Sequence, residues 1–317
     1  MPSLHAQWQL PAGPGSLRRV ERPVVRRIES HFQGPRGHTL FRRVWLPAAE
    51  PDARAPAAAA RRALVLVHGL FEHSGRYDAV AAWFAARGCA VHGYDQQGHG
   101  RSEGTRAHAR RFADLLDDLE ALLALVRAEH PGLPIFLLGH SLGGLVVAAL
   151  LRERQPDVAG AITSGAALAI SEGLSSARLL AARLLAWVAP RLSFDAGLDP
   201  QGLSRDPEVV RAYQEDPLVG RRITAALAAE LQAAVRRTAA GAGEVKVPLL
   251  LLHGEEDPLC PVRGSADFHA RLRAPGRLRT YPRLRHEILN EPERAAVFED
   301  VLEWIRRLPA RPAEAAA

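Results

Sequence analysis

Residues Pro134–Arg154 read PIFLLGHSLGGLVVAALLRER. Ile135–Leu138 is a short apolar run of the kind a buried strand uses. It leads directly into Gly139-His140-Ser141-Leu142-Gly143, and Leu145–Leu151 is an apolar stretch long enough for a buried helix. A strand, Gly-x-Ser-x-Gly and a helix, in that order, is the setting of a nucleophile elbow. The reason is steric. The turn forces the serine backbone into a strained conformation, and side chains two residues to either side would meet the neighbouring backbone. Gly139 and Gly143 remove those side chains, and Gly144 lets helix and strand pack closely. The pattern therefore predicts Ser141 at the carboxyl end of its strand, at the positive end of a helix.

The flanking chain alternates strand and helix. Upstream, Val25–Phe32 and Thr39–Leu46 read as a strand pair around Gly34-Pro35-Arg36-Gly37. Pro47–Arg62 is an Ala/Pro linker. Ala63–Val67 has no polar residue, as expected of a strand buried on both faces, and ends at His68-Gly69-Leu70. Tyr77–Arg87 carries Val80, Trp83 and Phe84 at helical spacing, with Gly88 placed to end the helix. Cys89–Tyr94 is the next strand. Phe112, Leu115, Leu116, Leu119, Leu122, Leu123 and Val126 form one stripe of a long helix that Pro131-Gly132 stops. After the elbow, Val158–Ile162 is a further strand. Such alternation argues for a mostly parallel sheet with helices on both faces.

The pattern breaks between about Ala167 and Gly243, where helices and no convincing strand are expected: Leu174–Pro190, Pro207–Glu215 and Arg221–Arg237. The sheet pattern resumes at Val247–Leu252 and Arg279–Tyr281 and ends in a helix carrying Phe298, Val301, Leu302, Ile305 and Leu308 on one face. A helical insertion between two sheet strands reads as a cap over the strand ends, where open α/β sheets bind ligands. The expected organisation is a flexible arm over 1–24, core over 25–166 and 244–308, cap over 167–243, and a disordered tail over 309–317.

Composition narrows the function classes. The chain has 317 residues, 47% of them hydrophobic, and a formal net charge of +6. The positive charge is almost all arginine, with Lys246 the only lysine, and it is scattered among acidic residues rather than blocked. That argues against a nucleic-acid partner. The two cysteines, Cys89 and Cys260, have no paired spacing, so neither a disulfide framework nor a zinc site is indicated. His-Glu-x-x-His, Gly-x-Gly-x-x-Gly and Walker patterns are missing from the chain, and neither a metal nor a cofactor is implied. The first residues lack the basic start and apolar core of a signal peptide, and no uncharged apolar run is long enough to span a bilayer. A cytoplasmic protein, peripheral to membrane at most, is expected.

A serine hydroxyl is a weak nucleophile at neutral pH and needs a base, which in turn needs an orienting group. In this fold class the order is Ser, then Asp or Glu, then His. The stretch His253-Gly254-Glu255-Glu256-Asp257-Pro258 follows a buried strand and offers the acid; spacing alone leaves Glu256 open beside Asp257. Arg285-His286-Glu287 follows the last strand and offers the base. An oxyanion hole would combine the Leu142 amide with one from the loop after Ala63–Val67, for which Leu70 is the candidate. Asp95–Ser102 reads as a structural loop.

The stretches HGLFEHSGRY (68–77), YDQQGHGRSEG (94–104), GHSLGG (139–144) and LLLHGEEDPLC (250–260), with the cap segment 191–219, resemble the monoacylglycerol lipase and lysophospholipase family of α/β hydrolases. The resemblance runs in order from about Arg27 to Arg307. It implies Ser141 as nucleophile, Asp257 rather than Glu256 as acid, His286 as base, and Leu70 and Leu142 as oxyanion donors. It also implies that Glu72, Arg76, His140 and Leu289 lie toward the substrate headgroup; Glu72 and Arg76 would equally serve as a structural ion pair. In the animal enzymes of the family a second histidine faces the glycerol three residues after the catalytic one. Leu289 stands there in this chain, within HEILNE, an ending more like bacterial members described as lysophospholipases. Cys260 is expected to be a structural apolar cysteine, with a place near the site, as in relatives, the alternative. The expected substrate is a small acyl ester or mono-acyl lipid, collected by a cap that touches a membrane transiently. A lysophospholipase or short-chain carboxylesterase is the alternative within the class, an aminopeptidase of the same fold a more distant one, and a catalytically silent binding module the alternative outside it.

Overall fold

The computed structural model describes residues 25–47, 60–169 and 184–308. The expected arm over 1–24, the tail over 309–317, most of the Ala/Pro linker and the first part of the helix expected over Leu174–Pro190 lie outside those residues. In chain order the elements are β1 (Val25–Gln33), β2 (Thr39–Pro47), β3 (Arg62–Val67), α1 (Asp78–Ala85), β4 (Cys89–Tyr94), α2 (Ala113–Glu129), β5 (Ile135–His140), α3 (Leu142–Glu153) and β6 (Gly160–Ser164). Then follow β7 (Ser193–Asp195), α4 (Pro207–Glu215), β8 (Arg222–Thr224), α5 (Ala225–Ala240), β9 (Leu249–Gly254), α6 (Val262–Arg271), β10 (Gly276–Tyr281) and α7 (Arg294–Arg307).

The eight-stranded sheet has the order β1-β2-β4-β3-β5-β6-β9-β10. β2 is antiparallel to both β1 and β4, and every other pair is parallel. Side chains alternate across a strand, so β3 sorts its residues between two layers. Ala63, Val65 and Val67 join the apolar cluster that holds α2 and α3. Leu64 and Leu66 join the one that holds α1 and α7. The stripe on α2 is buried, each such leucine contributing about 1.5–3 kcal/mol relative to exposure. α3 is buried all round, from Leu142 to Leu151, as its unbroken apolar run requires.

The inserted segment between β6 and β9 departs from the expectation of helices alone. β7 and β8 pair antiparallel in a two-stranded ribbon, Ser193 opposite Thr224. Three-residue strands are too short to leave a period-two signal. The ribbon also moves the start of the helix expected at Arg221 to Ala225, because the Thr224 side chain accepts the Leu227 N–H and caps it. Leu184–Val188 is helical and forms the described end of the helix expected to reach Pro190.

Candidate active site

The strand β5, the turn at Ser141 and the helix α3 carry the centre of the site. Ser141 sits at φ 53° and ψ −116°. A non-glycine residue held there costs on the order of 1–3 kcal/mol, so the surroundings must enforce it. They do so through Ser141 N–H to Ser164 O (3.0 Å) and through Leu145 and Ala167 N–H groups to Ser141 O (3.1 and 3.2 Å). The glycines fulfil the steric role read from the motif. A Cβ on Gly143 would lie 2.0 Å from Val67 O, and one on Gly139 would lie 2.3 Å from Gly143 O.

Asp257 follows β9 and its side chain is wholly buried. Its Oδ1 accepts the Leu259 and Cys260 N–H groups at 2.8 and 2.9 Å. Its Oδ2 accepts from His286 Nδ1 at 2.7 Å and lies 3.1 Å from His253 Nε2. Burial alone would raise the Asp257 pKa, but His286, His253 and these amides hold the carboxyl well below the usual range. Burial would likewise lower the His286 pKa, and the Asp257 carboxylate outweighs it, so the imidazole titrates above its ordinary value. An ionised carboxylate only accepts, so Nδ1 of His286 carries the proton and Nε2 keeps its lone pair. His253 is in turn fixed by Ser265 Oγ (2.8 Å) and Cys260 O (2.9 Å).

Ser141, His286, Leu70, Leu142, His140, Glu72 and Glu287 line one cavity of about 450 Å³. That is the size range of small-ligand sites. Its walls include Phe71 and Leu145 from the core and Leu198, Leu203, Tyr213 and Val235 from the inserted segment. The Leu142 amide opens α3, where no intrahelical acceptor is within reach. The Leu70 amide lies in the turn after β3, and among the described residues it donates to no protein acceptor. His140 is buried, bonded through Nδ1 to Ser164 O at 3.0 Å, with its ring centroid 4.7 Å from that of His286. Burial and the neighbouring His286 lower its pKa to about 4.

The remaining candidates divide. Glu72 reaches the cavity, but Arg76 does not line it. Arg76 is locked between carboxylates, Nη1 to Glu72 Oε2 at 2.7 Å and Nη1 and Nη2 to Glu287 at 2.6 and 2.8 Å. Leu289 is not a lining residue; it is buried in the core cluster of Ile288, Val297 and Leu302. Cys260 follows the alternative rather than the structural reading: it lines the cavity and hydrogen-bonds the Ser141 side chain. Burial and Asp257 push its thiol pKa up, so it is held as a neutral thiol. Two participants were not singled out from sequence, Glu287 and His253. The first adjoins His286 and the second precedes Asp257 on the same strand end, and that adjacency was the available signal.

Asp95 takes the Ser74 and Arg101 N–H groups at 2.8 Å each, which makes 95–102 the structural loop its sequence suggested. One trio of metal-capable side chains exists among the described residues, His92, Glu129 and His130. Arg42, which can only donate, bonds both carboxylate oxygens of Glu129 and His92 Nδ1. His92 Nε2 must therefore carry a proton, and it faces His130 Nε2 at 3.0 Å. The lone pairs a cation would need are already in use.

Comparison with known proteins agrees with this fold. The family described as serine aminopeptidase, S33, matches residues 58–293. A monoacylglycerol lipase of Mycolicibacterium smegmatis is 37% identical over 281 residues, covering 88% of this chain and 97% of its own length. The monoglyceride lipase of Homo sapiens is 34% identical over 253 residues, covering 79% of this chain and 80% of its own. The crystal structure of Paleococcus ferrophilus monoacylglycerol lipase superposes with a TM-score of 0.75 at 32% identity, covering 84% of this chain and 98% of that one. With an elbow serine, a mostly parallel sheet and these relatives, the chain belongs to the serine aminopeptidase S33 family of α/β hydrolases, among the serine enzymes that cleave carboxylic esters.

Proposed function

We propose that the protein hydrolyses the acyl ester of a mono-acyl lipid, with Ser141 as nucleophile, His286 as general base and Asp257 as the group that orients and stabilises the imidazole. The observation that carries this reading is the 2.7 Å His286 Nδ1–Asp257 Oδ2 bond beside a strained serine on one apolar-walled cavity. His286 Nε2 takes the Ser141 proton as Oγ attacks the carbonyl. The oxyanion that forms is received by the Leu70 and Leu142 N–H groups, each worth about 10²–10³ in rate. His286 returns the proton to the departing alcohol, and water releases the acyl group by the same base. The relatives named monoacylglycerol lipase support the substrate class.

The division into a core over 25–166 and 244–308 and a cap over 167–243 belongs to the same proposal. In the cap, Leu184, Trp187 and Val188 are 61%, 82% and 66% exposed. Aliphatic and indole side chains displayed together suit a lipid surface, and transient membrane contact through this helix is part of the reading. Among the described residues no helix is long and apolar enough to cross a membrane.

The test is Ser141→Ala with 1-monoacylglycerol and a short p-nitrophenyl ester. Loss of turnover by at least about 10⁴-fold in a folded protein is expected. A folded alanine variant with near-full turnover would overturn the mechanism. Sedimentation with vesicles tests the cap: Trp187→Ser should weaken vesicle binding while leaving hydrolysis of the short ester intact.

A further inference from the structure

Two hollows beside the start of α2 lie away from the cavity of Ser141. One, of about 500 Å³, is bounded by Arg36 and His38, the loop 104–111 and Arg191. The other, of about 720 Å³, lies between the Leu184–Val188 helix and α5 and reaches Trp187 and Arg237. His108, Arg110 and Arg191 line both, so the two form one continuous groove.

The groove carries unbalanced positive charge. Two carboxylates line it, Asp114 and Glu230, and both are committed to the first turn of α2. Asp114 accepts the Arg111 N–H at 3.1 Å and Arg111 Nη2 at 3.0 Å. Glu230 accepts the Phe112 N–H at 2.8 Å. Arg36 is paired with Asp117 and Asp118 at 2.9 and 3.0 Å. Arg110, Arg191 and Arg237 are exposed, and among the described residues none of them has a carboxylate within ion-pair distance. Burial and the Arg191 charge lower the His108 pKa against the pull of Asp114, so the excess charge is felt within the groove.

Exposed apolar surface adjoins this charge. Trp187 lines the groove, and Leu184 and Val188 of the same helix are exposed beside it. Guanidinium groups match phosphate oxygens and keep their charge at any working pH. An indole next to them suits the boundary between lipid headgroups and acyl chains. A soluble anion or a nucleic acid would neutralise the arginines and leave the apolar helix in water; a bilayer with net-anionic headgroups covers both. α5 ties the groove to the reaction. Its Leu231 and Val235 line the cavity that holds Ser141, while its Ala233 and Arg237 line the groove.

We propose that Arg110, Arg191 and Arg237 form a phosphate-binding groove that docks the protein on anionic phospholipid, with headgroup phosphates seated between the arginines beside the exposed helix. The inference rests on the membrane-contact reading of the Leu184–Val188 helix and adds the lipid class and the residues that select it. Docking there holds the bilayer one helix away from the cavity in which the ester is cleaved.

The experiment is sedimentation of the full chain with phosphatidylcholine vesicles, with and without about 30 mol% phosphatidylglycerol, at about 0.1 M salt, where charges more than about 10 Å away are screened. Each arginine held at an anionic surface strengthens partitioning about fivefold, so the three should favour the phosphatidylglycerol vesicles by about 100-fold. The triple variant Arg110→Gln, Arg191→Gln, Arg237→Gln should lose most of that preference. A control triple, Arg26→Gln, Arg277→Gln, Arg306→Gln, removes the same charge from exposed positions outside the groove and should largely keep it. Circular dichroism checks that both triples fold. Equal binding to the two vesicles, or equal loss in the two triples, overturns the groove and leaves the membrane contact of the cap standing. A preference lost in the groove triple but unmoved by Trp187→Ser keeps the groove and removes the apolar contact. Millimolar sn-glycerol 3-phosphate should displace the protein no more than chloride of matched ionic strength; a larger displacement reassigns the groove to a free phosphate ester and overturns the bilayer as its occupant. No sedimentation with either vesicle overturns both readings.

Discussion

Replacing Asp257 with asparagine exchanges one acceptor oxygen for a donor, and the surroundings of the side chain dictate the outcome. Oδ1 receives the Leu259 and Cys260 N–H groups, while Oδ2 receives His286 Nδ1 and lies against His253 Nε2. The asparagine carbonyl can satisfy only one side. Left toward the two amides, it turns the NH₂ group toward His286, whose Nδ1 must then accept and whose Nε2 must carry the proton. That tautomer cannot deprotonate the serine. Turned the other way, the NH₂ group meets two buried backbone donors. The first orientation is the cheaper, so the protein should fold with its base in the wrong tautomer. The expected loss in kcat is about 10³–10⁴-fold, or about 4–5.5 kcal/mol in the barrier. The acid limb of the pH profile should move as well. In the proposed mechanism His286 must be neutral to act, so activity falls as pH drops through its pKa. Because Asp257 raises that pKa above the ordinary histidine value of about 6.5, wild type should lose activity at a higher pH than an unperturbed histidine would dictate. In Asp257→Asn the residual activity should decline at a lower pH. The assay is kcat/KM for p-nitrophenyl butyrate from pH 5 to pH 9, with circular dichroism to confirm folding. A folded asparagine variant within tenfold of wild type, with an unmoved acid limb, would refute the assignment of Asp257.

Other perturbations read different parts of the structure. Gly143→Ala places a Cβ against Val67 O and should cost about 3–5 kcal/mol, seen as a lower urea midpoint; an unchanged midpoint would mean the elbow is not packed as described. Arg76→Ala leaves Glu72 and Glu287 buried without their counter-ion and should cost about 3–5 kcal/mol at neutral pH. Protonation of the stranded carboxylates relieves that penalty, so the deficit should shrink as pH falls toward 5, and a pH-independent deficit would contradict the ion-pair account. Burial raises the Cys89 pKa to about 11, and burial with Asp257 raises that of Cys260, so both thiols should react slowly with a disulfide reagent at pH 8 until the protein is unfolded. A rapid burst of one equivalent from the native protein would show that one of them is accessible as thiolate.

The local chemistry of the chain was strong enough to specify the sheet, the elbow and the order of the parts. The β5 turn is legible because only glycine fits at 139 and 143, and α2 because its buried stripe repeats at the helical period. α6 left no such signature: its buried residues are Gly264, Ser265 and Phe268, too few and too small to mark a face. The β7–β8 ribbon is set by pairing across 31 positions, Ser193 with Thr224, which no local window contains. The same limit governs the site. Ser141, His286 and an acid after β9 could be named from motif and order, but the bonds that select among neighbours are long-range. Asp257 is joined to His286 because β9 and β10 lie parallel and bring their trailing loops together. Arg76 and Glu287 are 211 positions apart, yet their pairing turns two glutamates toward the cavity and the guanidinium behind them. The family resemblance implies a place near substrate for Leu289, and packing against the residues of α7 carries it into the core. Sequence by itself determined which residue types stand at each strand end, because backbone sterics and hydrophobic period act over a few positions. Which of those side chains meet, and which charge faces the ligand, was decided only by tertiary packing, because hydrogen bonds and ion pairs form between whatever the fold brings within about 3 Å.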